Sequence, residues 1–220
     1  MKNSYFDLLP RQRQLFFLRL VCIYVLVNIV MVGVLFWVDM PWLILLFFLA
    51  SSTVITSFFD VPSGMKSGNL VYYSPMLIGE KIKNNQIVLH GGTLFDYYFT
   101  LNKELSVQER KKHVYAEYVE GMLALINKYE CQKPTNIAVK ATSYFLNSRT
   151  ANKIGLQADK LDLIQVLILY FNFFSLASSM SFLNRKITWP KMGRIVTYSG
   201  DLDSLIKKKG QLEALRERLV

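Results

Sequence analysis

The sequence contains little cysteine and histidine. Its 220 residues include two cysteines, Cys22 and Cys131, and two histidines. Two isolated cysteines cannot form a disulfide framework, and no CxxC motif or His/Cys cluster offers the four ligands of a zinc site. A disulfide scaffold and a zinc domain are therefore excluded. We expect both cysteines to be small buried apolar residues.

Charged residues are also scarce, and they are unevenly placed. Asp, Glu, Lys and Arg make up 19% of the chain, against roughly 25% in soluble domains, and the deficit lies in residues 1–60. The formal charge is +10, and most of the excess lies outside that region. This pattern indicates a membrane protein with a basic soluble part, for which the bilayer and its anionic phospholipid headgroups are partners. Nucleic acid is not expected as a partner, because no Lys/Arg run is interleaved with stacking aromatic residues.

Two long apolar runs occupy the N-terminal region. Residues 20–38 and 42–59 carry no charge, and each run approaches the roughly twenty residues that cross a hydrocarbon layer. Because Asp39, Met40 and Pro41 form a short break between them, we predict a transmembrane helical hairpin within residues 1–60. A cleaved signal peptide is the alternative, but its apolar region would be only about 7–15 residues long.

Flanking residues predict the orientation of this hairpin. Trp37 and Trp42 are predicted to lie in an interfacial aromatic belt, and Arg19 at the helix edge is predicted to be a membrane anchor. The turn carries no Lys or Arg, whereas four basic residues lie on the N-terminal side: Lys2, Arg11, Arg13 and Arg19. By the positive-inside rule both termini are cytoplasmic. A bacterial inner membrane is the expected location, with a eukaryotic endomembrane as the alternative.

Polar residues within the two runs favour helix packing over transport. Asn28 is expected to make a hydrogen bond between the helices, and residues 51–57 supply a face rich in small hydroxyl side chains. Two helices without an intramembrane acid or base cannot build an ion pathway by themselves. An oligomeric channel or transporter component remains an alternative if residues 163–183 also span.

The sequence predicts a mixed α/β cytoplasmic domain over residues 61–184. The first part of this range, residues 61–69, is rich in Pro, Ser and Gly and is predicted to be a linker to the hairpin. The fold class is thus α+β. Asn84 and Asn85 suit a tight turn, and Gly91 and Gly92 suggest a bulge or bend. Segments rich in β-branched and aromatic residues predict strands at 69–74, 77–83, 86–90, 93–101 and 136–145.

Two helices are predicted within this domain. Ser106 and Glu109 form a capping box that begins a helix ending near Tyr129, with a stop predicted at Lys133-Pro134-Thr135. A short helix at 148–154 is expected to end at Gly155 in the left-handed conformation. Residues facing the core on the longer helix are expected to be Tyr115, Tyr118, Val119, Met122, Ile126 and Tyr129.

The C-terminal third contains another apolar run and a basic tail. Residues 163–183 carry no charge, but spanning would move the basic residues after them to the outer side. We therefore predict a buried or membrane-contacting helix. Residues 185–220 hold nine Lys/Arg against four Asp/Glu and form an amphipathic tail. Its candidate lipid-binding or partner-binding residues are Lys207, Lys208, Lys209 and Arg216, although the tail is equally expected to cap its own domain.

One segment offers possible catalytic residues. His90 precedes two glycines, and Asp96 is positioned in sequence to orient a histidine acting as a base. The pair resembles the His-x4-Asp signature of glycerolipid acyltransferases, which implies acyl transfer at a membrane surface. Here five residues separate the two, not four, which places the carboxylate on the other face of a strand or turn. A structural strand end, with His90 as a hydrogen-bonding neighbour, is the alternative.

A second resemblance concerns the order of elements. Strand 86–101, helix 106–129, strand 136–145 and the turn at 147–155 together resemble the second half of the GNAT N-acyltransferase fold. In that family a glycine-containing loop holds the pyrophosphate of acetyl-CoA on bare amides. Residues 105–111 (LSVQERK) contain no glycine, so the resemblance implies a fold without CoA binding, and no cofactor is expected.

The motifs together favour a non-enzymatic role, with enzyme activity left open. There is no Walker A motif, nucleophile elbow or HExxH motif. The leading hypothesis is an integral membrane protein that tethers its domain and organises a protein partner or a homo-oligomer. The rival hypothesis is an acyltransferase-like enzyme that works at the bilayer surface through His90 and Asp96.

Overall fold

The structure of the protein is a computed structural model that describes residues 3–130, 137–144, 146 and 148–219. It has an α+β fold with a mixed sheet, preceded by a helical hairpin. Cys131 and the predicted helix stop at Lys133-Pro134-Thr135 lie outside the described residues.

The hairpin consists of α1 (Pro10–Trp37) and α2 (Ile44–Lys66), joined through a 3-10 turn at Pro41–Leu43. Both helices are long and apolar enough to cross a membrane, with mean hydropathies of 2.6 and 2.0 over their most apolar stretches. The predicted hairpin is therefore confirmed in length and composition. Each helix is longer than predicted at the end that meets the domain.

Polar contacts join the two helices as predicted. The Ser51 hydroxyl donates to Oδ1 of Asn28 at 3.2 Å, and the hydroxyls of Tyr24 and Ser52 lie 2.8 Å apart. In an apolar medium such bonds contribute about 1 kcal/mol each to helix association. Cys22, predicted to be buried, is exposed on α1, because the helix presents that face to its surroundings and not to α2.

The predicted linker at residues 61–69 is wrong, because α2 continues through Pro62 to Lys66. Val61 is 2% exposed and packs in the core between hairpin and domain, so burial outweighs the low helix propensity of the segment. The chain turns only at Gly68, whose φ of +73° suits glycine.

Six strands form the sheet in the order β1-β2-β3-β4-β6-β5. They are β1 (Leu70–Ser74), β2 (Leu77–Glu80), β3 (Gln86–Gly91), β4 (Ala138–Ser143), β5 (Gln157–Ala158) and β6 (Val196–Asp201). Asn84 and Asn85 both have positive φ between bridged Lys83 and Gln86, which confirms the tight turn. The bulge lies between Tyr72 and Ser74 on β1, not at the predicted glycines.

The predicted strand at 93–101 is wrong. Leu94–Thr100 forms the helix α3, and Thr93 and Asp96 form its capping box. The aromatic residues that suggested a strand instead place Phe95 and Phe99 on one helical face, where they pack against Tyr5. The next helix, α4 (Val107–Glu130), begins at the predicted capping box of Ser106 and Glu109.

Helix α4 connects β3 to the parallel strand β4 and covers one face of the sheet. Four of its six predicted core residues are buried, Tyr118 is half-buried, and Tyr115 is 56% exposed. Strand alternation divides the core: Leu77 and Leu89 face α4, whereas Ile78 faces α3 and the hairpin.

Several shorter helices complete the fold. α5 (Ser148–Lys153) ends before Gly155, whose φ of +87° confirms the predicted stop. The apolar run 163–183 is divided into α6 (Leu163–Phe171) and α7 (Phe173–Asn184), which are bent by 67°. The bend lies at Asn172.

The C-terminal segment 185–220, predicted as a basic tail, includes β6 and two further helices. They are α8 (Leu202–Lys207) and α9 (Lys209–Leu219). Leu202, Leu205 and Leu212 are at most 1% exposed and lie in the core beneath α4. The apolar face of this amphipathic segment therefore packs against its own domain.

Candidate functional site

A cavity of about 310 Å³ opens where the parallel strands β3 and β4 separate. Their last paired residues are Leu89 and Ala141, although β3 continues to Gly91 and β4 to Ser143. Ligands in α/β sheets commonly bind beyond the carboxyl ends of parallel strands. The cavity lies at this end of the pair and falls within the size range of small-molecule sites.

The cavity wall is mostly apolar. It is formed by the inner face of α4, the two strands, α5 and the leucines of α9. Polar groups also reach it from Tyr118, Thr142, Ser143 and Thr150. An apolar wall with a few polar groups suits an amphiphilic ligand with one polar end. Apolar side chains that line it include Leu89, Val119, Met122, Leu156, Leu212 and Leu215.

A group of half-buried tyrosines lies beside the cavity. Burial raises the pKa of Tyr97 and Tyr118, which are hydrogen-bonded to each other, and it raises the pKa of Tyr144 to about 12. These phenols are therefore neutral at physiological pH. A Cβ at position 91 would overlap the Tyr118 hydroxyl, so Gly91 permits this close approach.

His90 is held by a residue that sequence analysis did not select. Its Nε2 lies 2.8 Å from Oε1 of Glu80 on the neighbouring strand β2. The hydrogen bond to His90 is the main cause that lowers the pKa of Glu80. His90 pairs in register with Ile78, so strand alternation directs the side chains of His90 and Glu80 toward the hairpin side of the sheet. The cavity under α4, which His90 borders at the end of β3, lies on the opposite side.

Asp96 is not brought together with His90 by any contact of the described residues. The carboxylate is fully buried and accepts hydrogen bonds from the Thr93 amide at 2.8 Å, the Thr93 hydroxyl at 3.0 Å, Asn3 Nδ2 at 2.8 Å and the Tyr72 hydroxyl. Burial raises its pKa to about 6, against the lowering effect of these donors. Asp96 therefore caps α3 and joins it to the N-terminal segment, and the motif Thr93-x-x-Asp96 could have revealed that role.

The beginning of α4 is not arranged to hold a phosphate. The Glu109 carboxylate accepts from the Ser106 amide at 2.8 Å, and the Ser106 hydroxyl accepts from the Glu109 amide at 3.3 Å. These bonds also lower the pKa of Glu109. An acidic side chain at a helix N-terminus occupies the amides that an anion would need, so this segment differs from the CoA loop of GNAT enzymes.

The four basic candidates of the C-terminal segment divide into two pairs. Lys209 lies 2.5 Å from Glu130, and Arg216 lies 3.6 Å from Glu120, so both bind α4. Within the described part of the chain, Lys207 and Lys208 form no ion pair. Lys207 and Lys208 are therefore better candidates than Lys209 and Arg216 for binding an external anionic partner.

The three predicted anchor residues bracket the apolar part of α1 and the turn. Arg19 is exposed, and the exposed fractions of Trp37 and Trp42 are 85% and 73%. Arg19 and Trp37 are separated by roughly 27 Å along the helix at 1.5 Å per residue. This separation is close to the hydrocarbon thickness of about 30 Å.

The described residues contain no group of three or more His, Cys, Asp or Glu side chains that could hold a metal ion. Comparisons of this chain with known protein families, with curated proteins and with solved structures found no match.

Proposed function

We propose that this chain is an integral membrane protein whose hairpin fixes a basic α/β domain at the cytoplasmic face of a bacterial inner membrane, where the domain organises a protein partner. The observation that carries this proposal is the shared core between hairpin and domain. Tyr5, Phe58, Val61, Tyr72 and Phe95 pack in a single cluster. A domain held by such a cluster has a fixed orientation toward the membrane.

The hydrogen bonds around Asp96 support the same fixed arrangement. Asn3 precedes α1, Tyr72 lies on β1 and Asp96 lies on α3, so one carboxylate connects three parts of the chain. Helix α2 also continues directly into the turn before β1. A fixed orientation favours partner binding, because the binding surface of the domain does not have to be ordered when the partner arrives.

The cytoplasmic orientation is supported by the charges near the hairpin ends. Arg11 and Arg13 lie in the first turns of α1, and Lys66 ends α2, all on the domain side. The turn around Pro41 has none. Reporter fusions at Val220 test this arrangement, since an external C-terminus would refute it.

The partner surface is tested by copurification from native membranes. We expect the double variant Lys207→Glu/Lys208→Glu to lose proteins that copurify with the wild type. The matched control is Lys111→Glu/Lys112→Glu, which reverses the same charge on the exposed face of α4. Equal recovery of every companion protein from both variants would remove the C-terminal lysines from the proposal.

A second candidate function is favoured by the hydrogen bond between His90 and Glu80, because a carboxylate partner orients a histidine that acts as a base. An enzyme of the acyl-transfer class at the bilayer surface would use His90 as this base on the hairpin side of the sheet. His90→Ala, assayed with candidate acyl donors, should lose activity while remaining folded. His113→Ala, which alters the other histidine of the chain, is the matched control, and equal activity in both variants would exclude His90 as a base.

A further inference from the structure

Helix α6 exposes an apolar surface that its own domain does not cover. Its nine residues, LIQVLILYF, carry no charge, and none of them is buried. Leu163, Ile164 and Phe171 are 74%, 72% and 69% exposed. Contiguous apolar surface of this kind marks a contact with a membrane or another protein.

The position of α7 shows which of these contacts applies. Helix α7 packs against α2, which is one of the two candidate membrane spans, and also against α3. The residues that α7 buries are small: Ser175, Ala177 and Ser179. Small residues allow the close helix contacts that are typical of membrane proteins. The exposed helix α6 is therefore attached to an element that already lies against the hairpin.

Both ends of the α6–α7 segment are bound to the same domain. Before α6, the Asp162 amide donates to the Thr197 hydroxyl on β6 at 3.0 Å. Near the end of α7, Nη1 of Arg110 on α4 donates to the Phe182 carbonyl at 2.8 Å. A segment whose two ends remain on one side of a bilayer cannot span it, whereas it can enter one leaflet and return.

The dimensions and flanking residues agree with such an entry. At 1.5 Å per residue α6 is roughly 13 Å long, about half of a 30 Å hydrocarbon layer. Trp189 stacks on Phe173 near the bend with ring centroids 5.8 Å apart, and it remains 58% exposed. An aromatic residue at this position, followed by Lys191 and Arg194, is typical of the headgroup region. The bend therefore lies near the headgroups, and α6 lies along the leaflet with its exposed apolar side toward the acyl chains.

We propose that α6 enters the leaflet on the domain side of the bilayer as a third, non-spanning membrane contact. This inference rests on the proposed membrane insertion of the hairpin, and it adds a contact that the hairpin does not provide. The contact would hold the β5–β6 side of the domain to the membrane surface, in addition to the β1 side held by the hairpin. Because α6 does not span, the basic residues that follow the apolar run 163–183 stay on the same side of the membrane as the domain.

The experiment measures which positions of the full chain touch lipid. Single cysteines are placed at Ile164, Leu167, Ile29 or Glu213 after Cys22 and Cys131 are replaced by alanine, and each is labelled with an environment-sensitive fluorophore. The protein is reconstituted in phosphatidylcholine/phosphatidylglycerol vesicles with and without lipids that carry a quencher on the acyl chain. Ile164 and Leu167 are 72% and 56% exposed, so the labels remove no core contacts.

The expected result is a loss of fluorescence at Ile164 and Leu167 when the quencher lipid is present. Ile29, 64% exposed on α1, is the positive control, and Glu213, exposed on α9 outside the cavity, is the negative control. Quenching at the α6 positions no greater than at Glu213, with Ile29 quenched, overturns the inference and leaves the hairpin intact. Lack of lipid quenching together with protection from aqueous iodide also overturns it, because a protein then covers α6. Lack of quenching at Ile29 refutes the hairpin itself.

Discussion

Removing the Tyr72 hydroxyl is the sharpest test of how the hairpin is joined to the domain. Tyr72 lies on β1 and donates to the buried Asp96 carboxylate, which also accepts from Asn3 and Thr93. The variant Tyr72→Phe keeps the ring in its cluster and deletes one donor. Because the acceptor is a buried acid, we expect a loss of about 1.5–3 kcal/mol in the free energy of unfolding.

The loss should depend on pH because Asp96 titrates. Burial raises the folded pKa of Asp96 to about 6, so the protonated form is favoured in the native state. Its contribution to stability is present below its unfolded pKa of about 3.9 and is lost as pH rises through 6, which amounts to about 3 kcal/mol. The Tyr72 donor favours the charged form, so its removal should cost more at pH 8 than at pH 5.

The assay is thermal unfolding of the detergent-purified protein at pH 5 and pH 8. For a chain of this length the expected loss corresponds to a Tm decrease of roughly 3–12 °C, larger at pH 8. Tyr98→Phe is the matched control, since Tyr98 lies in the same aromatic group but is 37% exposed. A Tm gap that is equal at both pH values, or wider at pH 5, would refute the reasoning.

Three further substitutions test packing and polar contacts. Gly121→Ala on α4 should lose about 1–3 kcal/mol of unfolding free energy in a thermal melt, because its Cβ would lie 2.6 Å from that of Leu77. Gly210→Ala on α9, with open space around it, should be neutral or gain up to about 1 kcal/mol, and equal effects would contradict the packing. Arg110→Lys should lose about 1–3 kcal/mol in the same melt, because three carbonyls accept from its guanidinium fork. Asn28→Leu should weaken hairpin association by about 1 kcal/mol in a steric-trapping measurement, and an unchanged value would show that its bond to α2 adds nothing.

Sequence alone determined the parts of this protein that depend on local patterns. Charge-free runs predicted the two hairpin helices because apolar length is a property of the chain itself. The capping box at Ser106, the turn at Asn84 and the stop at Gly155 were also predictable, since each depends on a few neighbouring residues. Asn28 was correctly expected to bond across the hairpin.

The candidate site was only partly predictable. His90 was selected from its place before two glycines, but its partner Glu80 lies ten residues earlier and becomes a neighbour only through strand pairing. The cavity depends on where β3 and β4 stop pairing, which the sequence does not mark. Asp96 is selected in the sequence as the carboxylate that orients His90, but its contacts are with Asn3, Tyr72 and Thr93. No local motif connects it to Asn3.

Tertiary packing decided the remaining features. Residues 94–100 form a helix, not a strand, because their aromatic rings pack against the N-terminal segment, and this burial favours one helical face over β propensity. The same shared core keeps α2 helical through Pro62. The spacing of the leucines in residues 202–219 predicts an apolar helical face. Only the tertiary structure shows that this face packs against α4 of the same chain.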